Sequence, residues 1–201
     1  MRIKIATVGE TVLRAEARPL TVEEIRSATI RELIEHMRET LQDAPGVGLA
    51  APQVGLPLQL AVIEDKAEYH RALSETELAE RARRPVPFHV VINPSLHLLE
   101  PPQASFFEGC LSLPGFTAVV PRSRRVAVEC LNEQGDAVRI EADGWYARIL
   151  QHEIDHLHGT LYIDRMWSRS FCSLDNYSRF WKAKTARELA MEFRLAGDTA
   201  P

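Results

Sequence analysis

The residues His152-Glu153-Ile154-Asp155-His156 carry two imidazoles and a carboxylate at the spacing of a helical metal site. Side chains four residues apart share one face of a helix, so both histidines can bind the same ion. Glu153 can then take a proton from a water on that ion, because a divalent metal lowers the pKa of water from about 15.7 to about 7. The pattern predicts a metal-dependent hydrolase. The alternative is an amphipathic helix that carries two histidines by coincidence.

A catalytic metal site needs a third protein ligand and one open position for water or substrate. Glu188 and Glu192 lie downstream, where metalloproteases usually have this ligand. Cys110 lies upstream in the segment Glu108-Gly-Cys-Leu-Ser112, and its thiolate would give a site suited to Fe(II), Zn, Ni or Co. Cys110 could equally be a small buried hydrophobic residue. The residues alone leave these alternatives open.

The motif lies in a helix that we predict from Gly144 to about His158, with Asp143 as the N-cap and Gly159 at the C-terminal turn. Residue spacing predicts the other elements, which are a helix at about 22–42 begun by a Thr21/Glu24 capping box, strands at Leu58–Ile63 and Val90–Ile92, a hairpin of Arg125–Leu131 and Ala137–Ala142, a short strand at Leu161–Ile163 and a helix over Asn176–Leu195. Helices and hairpins do not alternate as βαβ units, which favours an α+β fold. We expect one domain, 1–201, with antiparallel or mixed sheets around the central HExxH helix, an insertion at 64–87 and a C-terminal extension at 171–201.

The composition is that of a globular protein in a reducing compartment. The chain has 201 residues, a net charge of −4 and 45% hydrophobic residues, so it can form a core and has no overall basic surface for DNA or a membrane. Three cysteines cannot all pair, and we expect Cys130 and Cys172 to be core residues. The sequence shows no apolar leader and no apolar run of membrane length, which predicts a cytoplasmic protein.

Three segments resemble the motifs of the peptide deformylase family, and they occur in the same order: Gly46-Val-Gly-Leu-Ala-Ala-Pro-Gln53, Glu108-Gly-Cys-Leu-Ser112 and Gln151-His-Glu-Ile-Asp-His-Leu-His-Gly159. Together they are highly specific, and the resemblance covers roughly residues 5–170. The segment 144–151 and the 64–87 insertion are similar to the longer branch of the family, which includes organellar members. The lack of a transit peptide favours a bacterial source.

This resemblance implies a hydrolase that removes the formyl group from N-formylmethionyl nascent peptides and releases formate. The metal would be one divalent ion per chain, natively Fe(II), and the ligands that the motifs give are Cys110, His152 and His156. Glu153 would act as general base and then as general acid. Gln53 and the backbone N–H of Leu111 would donate hydrogen bonds to the oxyanion.

The resemblance also gives the residues that would surround the peptide substrate, which are Gly46, Val47, Gly48, Phe106, Glu108, Gly109, Trp145 and Ile149. Arg122 is expected to hold Glu108. Residues 165–187 hold six basic residues and one acidic residue, and the family resemblance suggests a contact with ribosomal RNA. The alternative for this segment is a solvated amphipathic helix, and the 64–87 insertion is either a lid or a solvated excursion.

Two other functions compete with this interpretation. A HExxH endopeptidase would cleave internal peptide bonds and would use a ligand other than Cys110. A non-catalytic protein that binds formyl peptides would require a damaged catalytic set, and the sequence retains the complete one, which is Gln53, Cys110, His152, Glu153 and His156.

Overall fold

A computed structural model describes residues 2–194 and shows two antiparallel sheets with helices packed against them. In chain order the strands are β1 Gly48–Ala50, β2 Leu60–Asp65, β3 Val86–Leu98, β4 Ala104–Glu108, β5 Phe116–Arg122, β6 Arg125–Leu131, β7 Ala137–Asp143 and β8 Cys172–Ser173. The larger sheet has the order β1-β2-β3-β6-β7 and the smaller one has the order β4-β5-β8. The α+β prediction is confirmed, and every strand pair among the described residues is antiparallel.

The α-helices of the described residues are α1 Val22–Ile25, α2 Ala28–Asp43, α3 Glu75–Glu80, α4 Gly144–Leu157, α5 Leu174–Asn176 and α6 Ala186–Phe193. Within residues 2–194, no helix combines the length and the apolar character that crossing a bilayer requires.

The larger sheet lies between α2 and α4, and this arrangement explains its continuous apolar strands. In β2, Leu60 and Val62 pack in the core cluster that contains the apolar face of α2, whereas Ile63 packs in the cluster that contains α4. In β3, Val90 and Val91 divide between the same two clusters. Alternate residues of a strand face opposite sides of a sheet, so a strand covered on both sides has apolar residues at every position.

The helix α4, which carries HExxH, begins at Gly144 and ends at Leu157, close to the predicted bounds. Asp143 occupies the N-cap position, but its side chain makes no capping hydrogen bond. Gly159 has a φ of +65°, the left-handed conformation that ends many helices. A Cβ there would lie 2.6 Å from the carbonyl oxygen of Arg14, so the following chain can turn closely against the N-terminal segment.

The predicted helix at 22–42 is interrupted. The Thr21/Glu24 capping box forms, but α1 ends at Ile25 and Ser27 caps a second helix. The Ser27 hydroxyl accepts a hydrogen bond from the Ile30 N–H at 3.3 Å and donates one to the carbonyl oxygen of Glu24 at 2.6 Å. Helical spacing alone did not reveal this break, because serine caps the second helix through its side chain without disturbing the apolar period.

The hairpin of β6 and β7 is confirmed, but other strand predictions are incomplete. The strands Ala104–Glu108 and Phe116–Arg122 were not predicted, and they carry the loop that holds Cys110. The predicted strand at Leu161–Ile163 is wrong, because Tyr162–Asp164 forms a 3-10 turn in which the Asp164 carboxylate accepts from the Leu161 N–H at 2.8 Å.

The C-terminal segment forms several short helical pieces instead of the single helix predicted over Asn176–Leu195. A five-residue π-helical turn, Tyr177–Trp181, follows α5, and Thr185 then caps α6. Leu195 lies outside the described residues. Leu189 of α6 is buried beside Phe107 of β4, so the segment is packed onto the smaller sheet.

Candidate metal and peptide site

A cleft of about 570 Å³ opens between β1, the loop that follows β4, and helix α4. Twelve of the fourteen predicted site residues line it, which are Gly46, Val47, Gly48, Gln53, Glu108, Gly109, Cys110, Leu111, Trp145, Ile149, His152 and Glu153. His156 is fully buried behind this lining. Phe106 does not line the cleft; it lines a neighbouring cavity of about 260 Å³ that shares the walls Trp145 and Arg148.

The structure brings Cys110, His152 and His156 together. One potential ligand atom from each residue lies within 4.8 Å of the others, and the Cys110 Sγ is 3.3 Å from Nε2 of His156. The two histidines come from successive turns of α4, while the thiol comes from the loop after β4. These two imidazoles and one thiol are a donor set that suits a borderline divalent metal, so the residues fit the metal that the sequence predicts.

The alternative ligands Glu188 and Glu192 have other partners. The Glu188 carboxylate accepts hydrogen bonds from the backbone and hydroxyl of Thr185 at the start of α6. Glu192 pairs with Lys184 at 3.0 Å. Among the described residues, the cysteine is therefore the third member of the group that could hold a metal.

Glu153 follows His152 in α4 and lines the same cleft. Its side chain is buried, and its Oε2 has no hydrogen-bond partner among the described residues. Burial raises the pKa of Glu153 to about 7, against the lowering effect of His152. A buried, unpartnered carboxylate with a pKa near neutrality can both take up and release a proton.

Gly48 sets the position of that carboxylate. A Cβ on Gly48 would lie 2.2 Å from Oε1 of Glu153 and 2.5 Å from its carboxyl carbon, closer than non-bonded atoms approach. Only a residue without a side chain leaves room for the carboxylate at this point of β1. The glycine in the first motif is therefore required by the glutamate in the third.

Glu108 orients His152 instead of simply forming a pocket wall. Its Oε2 is 3.0 Å from Nδ1 of His152, which directs Nε2 of the imidazole toward the metal group. The Arg122 guanidinium binds both oxygens of Glu108 at 3.0 Å, as the family resemblance implied. Burial raises the pKa of Glu108, but Arg122 and Arg148 more than offset it, so its pKa lies well below the usual range.

Two charged residues that support the site were not predicted. Arg148 donates to Glu108 at 2.5 Å, and burial lowers the pKa of its guanidinium to about 10. Asp155, inside the HExxH segment, binds Arg122 at 2.5 Å and also Arg165 at 2.7 Å. Arg148 is four residues before His152 in an otherwise apolar helix turn, and a buried arginine there needs a carboxylate partner. The position of Arg148 in the sequence therefore indicates a buried ion pair beside His152.

Gln53 lies against the metal group. Its Oε1 accepts from the Ala50 N–H at 2.8 Å, which fixes the amide so that Nε2 points toward Ser112 Oγ at 3.2 Å and Cys110 Sγ at 3.5 Å. The Leu111 N–H takes part in no hydrogen bond among residues 2–194. The Gln53 amide and the Leu111 N–H are thus two donors at Cys110 and its neighbour, and the second has no partner among the described residues.

The third conspicuous histidine does not belong to the site. His158 is exposed, and its Nδ1 is 2.7 Å from Oε1 of Glu16. Of the other cysteines, Cys130 is buried in the core around α4, as predicted, whereas Cys172 lies in β8 and is only partly buried.

A helix with an HExxH histidine pair, completed by a cysteine from a neighbouring sheet loop, defines a class of metal-dependent hydrolases. Comparison with known proteins agrees with this assignment. The family model described as polypeptide deformylase matches residues 3–171, and the chain belongs to this family.

The curated relatives come from bacteria and from eukaryotic organelles. Peptide deformylase 1 of Streptomyces coelicolor is 44% identical over 200 residues, which cover 98% of this chain and 89% of that protein. The chloroplastic peptide deformylase 1A of Solanum lycopersicum is 46% identical over 172 residues, which cover 86% of this chain. The chain spans 62% and 64% of the length of that protein and of the Arabidopsis thaliana enzyme.

Solved structures agree in fold. The Met-Ala-Ser-bound class I type b peptide deformylase of Acinetobacter baumannii is 30% identical, with a TM-score of 0.71 over 83% of this chain and 99% of that one. The peptide deformylase of Synechococcus elongatus in complex with actinonin is 37% identical, with a TM-score of 0.67 over 82% and 78% of the two chains.

Proposed function

We propose that this chain removes the N-formyl group from N-formylmethionyl nascent peptides, releasing formate and a free amino terminus. The observation that carries the proposal is one juxtaposition: the Cys110, His152 and His156 ligand atoms lie within 4.8 Å of one another, beside the buried and unpartnered carboxylate of Glu153. The family of the chain supports the same reaction. We place this reaction in the cytoplasm.

Cys110, His152 and His156 would hold one divalent metal ion per chain. When bound, the ion supplies Lewis acidity, which lowers the pKa of a coordinated water to about 7 and polarises a carbonyl group. We propose Fe(II) as the native ion and regard Zn, Ni and Co as substitutes, because a thiolate with two imidazoles suits all four.

Glu153 moves the protons of the reaction. As a carboxylate it takes the proton of the attacking water, and as an acid it returns that proton to the amine nitrogen that leaves. Its burial keeps the proton away from bulk solvent, and its raised pKa makes both directions accessible near neutral pH. Gly48 has no side chain, and this leaves the space that the carboxylate occupies.

Gln53 and Leu111 would stabilise the negative charge on the formyl oxygen. The Gln53 amide is already fixed by the Ala50 N–H, and the Leu111 N–H is free of partners among the described residues. Donors that are oriented before the reaction need no reorganisation in the transition state, and one such donor is typically worth about 2.7–4 kcal/mol.

The substrate backbone would extend along β1, which is an edge strand of the larger sheet. Gly46, Val47 and Gly48 line the cleft there, so their peptide groups can pair with a peptide of any sequence. The methionine side chain would enter between Gly109, Glu108, Trp145 and Ile149. Phe106 would support this pocket from behind, since its ring lies 5.2 Å from the Arg148 guanidinium carbon.

Release of formate from formyl-Met-Ala-Ser by the metal-loaded protein tests the proposal. Glu153→Ala should retain the metal and lose turnover by about 10²- to 10⁴-fold, because the general base is gone. Cys110→Ser should lose both metal affinity and turnover. Cleavage of unblocked peptides, with no formate released, would instead identify an endopeptidase.

We further propose that the C-terminal segment contacts ribosomal RNA. Arg179, Lys182 and Arg187 are exposed cations, and phosphate contacts would make such binding salt-sensitive. Deleting the segment is a poor test, because Leu189 is buried against Phe107.

The better test is the triple variant Arg179→Gln/Lys182→Gln/Arg187→Gln. It should weaken co-sedimentation with ribosomes at low salt and leave formate release unchanged. The matched control neutralises three exposed arginines elsewhere, Arg31, Arg71 and Arg84. Equal loss in both variants would contradict a specific contact.

A further inference from the structure

The insertion is closed at its base by a buried ion pair. Asp65 at the end of β2 has no exposed surface, and both of its oxygens accept from Arg83, from Nε at 2.8 Å and from Nη2 at 2.9 Å. His70 also approaches the same carboxylate at 3.2 Å. Residues 65–83 therefore form a loop whose two ends are joined by a planar, two-point contact that fixes the plane of the guanidinium. A freely solvated excursion would not need such a contact.

The fixed guanidinium lies over Trp145 in the first turn of α4. The guanidinium carbons of Arg81 and Arg83 are each 5.2 Å from the centre of the Trp145 ring, and that of Arg148 is 5.9 Å away. These distances are within the range of cation–π contacts. Arg83 and Trp145 both line the catalytic cleft.

The backbone of the insertion is also pressed against the start of α4. A Cβ on Gly144 would lie 2.6 Å from the Cβ of Ala82 and 2.7 Å from the carbonyl oxygen of Arg81. Gly144 has a φ of +56° and Ala82 a φ of +45°, so both segments adopt the left-handed conformation where they meet. The insertion thus contacts α4 through its backbone at Gly144 and through arginine side chains at Trp145.

We infer that residues 65–83 form the outer wall of the methionine pocket, and that Asp65 and Arg83 are positioning residues that hold the Trp145 ring in place. The inference rests on the proposed function for the identity of the side chain that the pocket receives. The ion pair fixes Arg83, Arg83 covers one face of the indole, and the indole lines the cleft. A pocket wall held in its binding conformation binds its ligand more tightly, because less freedom is lost on binding.

Arg83→Met tests the inference, because methionine keeps an apolar side chain and removes the guanidinium group. KM for formyl-Met-Ala-Ser should rise about 3- to 10-fold while kcat stays within about twofold of wild type. KM for formyl-Ala-Ala-Ser should change much less, since a methyl group is too short to reach the wall. Arg84→Met, a substitution of the exposed neighbour, is the matched control and should change neither constant.

A second variant covers the case in which Arg83→Met does not fold, since Asp65 would be left buried without its cation. Arg83→Lys keeps the charge but loses the planar two-point contact, and it should give a smaller rise in KM for the methionyl substrate alone. Equal losses for both substrates, or a fall in kcat with KM unchanged, would overturn the inference.

A double-mutant cycle separates a positioning role from a direct one. If Arg83 acts through the indole, Trp145→Phe should raise KM by itself, and adding Arg83→Met should raise it little further. Multiplicative effects of the two substitutions would show that they act independently and would overturn the positioning role.

Tryptophan fluorescence tests whether Arg83 holds the Trp145 ring in place, without any measurement of catalysis. With Trp167→Phe and Trp181→Phe, Trp145 is the single indole of the chain. In this background Arg83→Met should increase acrylamide quenching of Trp145, and Arg84→Met should not. If wild type releases no formate but the quenching differs as expected, the proposed function is wrong and the positioning of Trp145 by Arg83 is supported. If formate is released and the quenching is equal in both variants, the positioning of Trp145 by Arg83 is wrong.

Discussion

Helix α4 and the C-terminal segment carry the same kinds of charged residues in opposite environments. Around α4, the side chains of Glu108, Arg122, Arg148 and Asp155 are each at most 9% exposed, and each is bound to an opposite charge. In the C-terminal segment, the pair of Lys184 and Glu192 leaves 35% and 51% of its side chains in solvent.

The two regions differ in how much stability is lost when a charged residue loses its partner. A charge removed from water must be paired within the protein, so a buried network fixes the position of every member. Such a network can hold the His152 imidazole in one orientation through a hydrogen bond. Exposed charges are solvated whether or not they are paired, so they leave the local geometry free and remain available to a partner molecule.

The largest effect should come from breaking the buried network. Arg122→Met removes the cation that binds both oxygens of Glu108 and also binds Asp155. We expect the free energy of unfolding to fall by about 3–5 kcal/mol, because buried carboxylates are left uncompensated. Denaturant unfolding of the variant measures this. A loss below about 1 kcal/mol would mean that the network behaves like a surface pair.

A steric change in β1, against Glu153 of α4, should have a somewhat smaller effect. Gly48→Ala places a methyl group where Oε1 of Glu153 lies, and displacing a catalytic group by about 1 Å can cost about 100-fold in rate. We expect such a loss in kcat for formyl-Met-Ala-Ser, with the metal content unchanged.

Gly46→Ala provides the graded comparison for that measurement. Its Cβ would lie 2.9 Å from Cδ1 of Leu111, the far end of a flexible side chain, so the contact can be relieved by rotation. The loss in kcat should be clearly smaller than for Gly48→Ala. Similar losses would show that the Glu153 contact is not the cause.

The smallest effect should come from the exposed pair. Lys184→Ala removes the cation that lies 3.0 Å from Glu192. The free energy of unfolding should fall by at most about 1 kcal/mol, because both groups remain solvated. Measured beside Arg122→Met under the same conditions, this variant calibrates the comparison. Equal losses in the two variants would remove the distinction between the two regions.

Local patterns predicted the elements whose stabilising interactions lie close together in the sequence. The capping box at Thr21, the hairpin around Gly135 and the bounds of α4 all depend on residues within a few positions of one another. The strands β4 and β5 pair with each other across a short loop, but they escaped prediction because part of their packing comes from β8 and from Leu189, which are distant in sequence.

The candidate site shows the same limit. The two histidines and Glu153 as candidate base were predicted from the HExxH spacing, whereas Cys110 as third ligand and the pairing of Arg122 with Glu108 were implied by the family resemblance. The roles of Arg148 and Asp155 did not, because each is explained only by a partner on another element. The division of the chain into a catalytic domain, an insertion and a C-terminal extension remains a prediction.

The sequence by itself determined the chemistry, since residue type and helical spacing decide which atoms can bind a metal and move a proton. Only the tertiary structure decided the geometry. It brought Cys110, and not Glu188 or Glu192, next to the two histidines, because a loop of one sheet meets the helix of another layer. It also showed that Gly48 is small because Glu153 needs its space. These are contacts between residues far apart in the chain, and packing in three dimensions is what creates them.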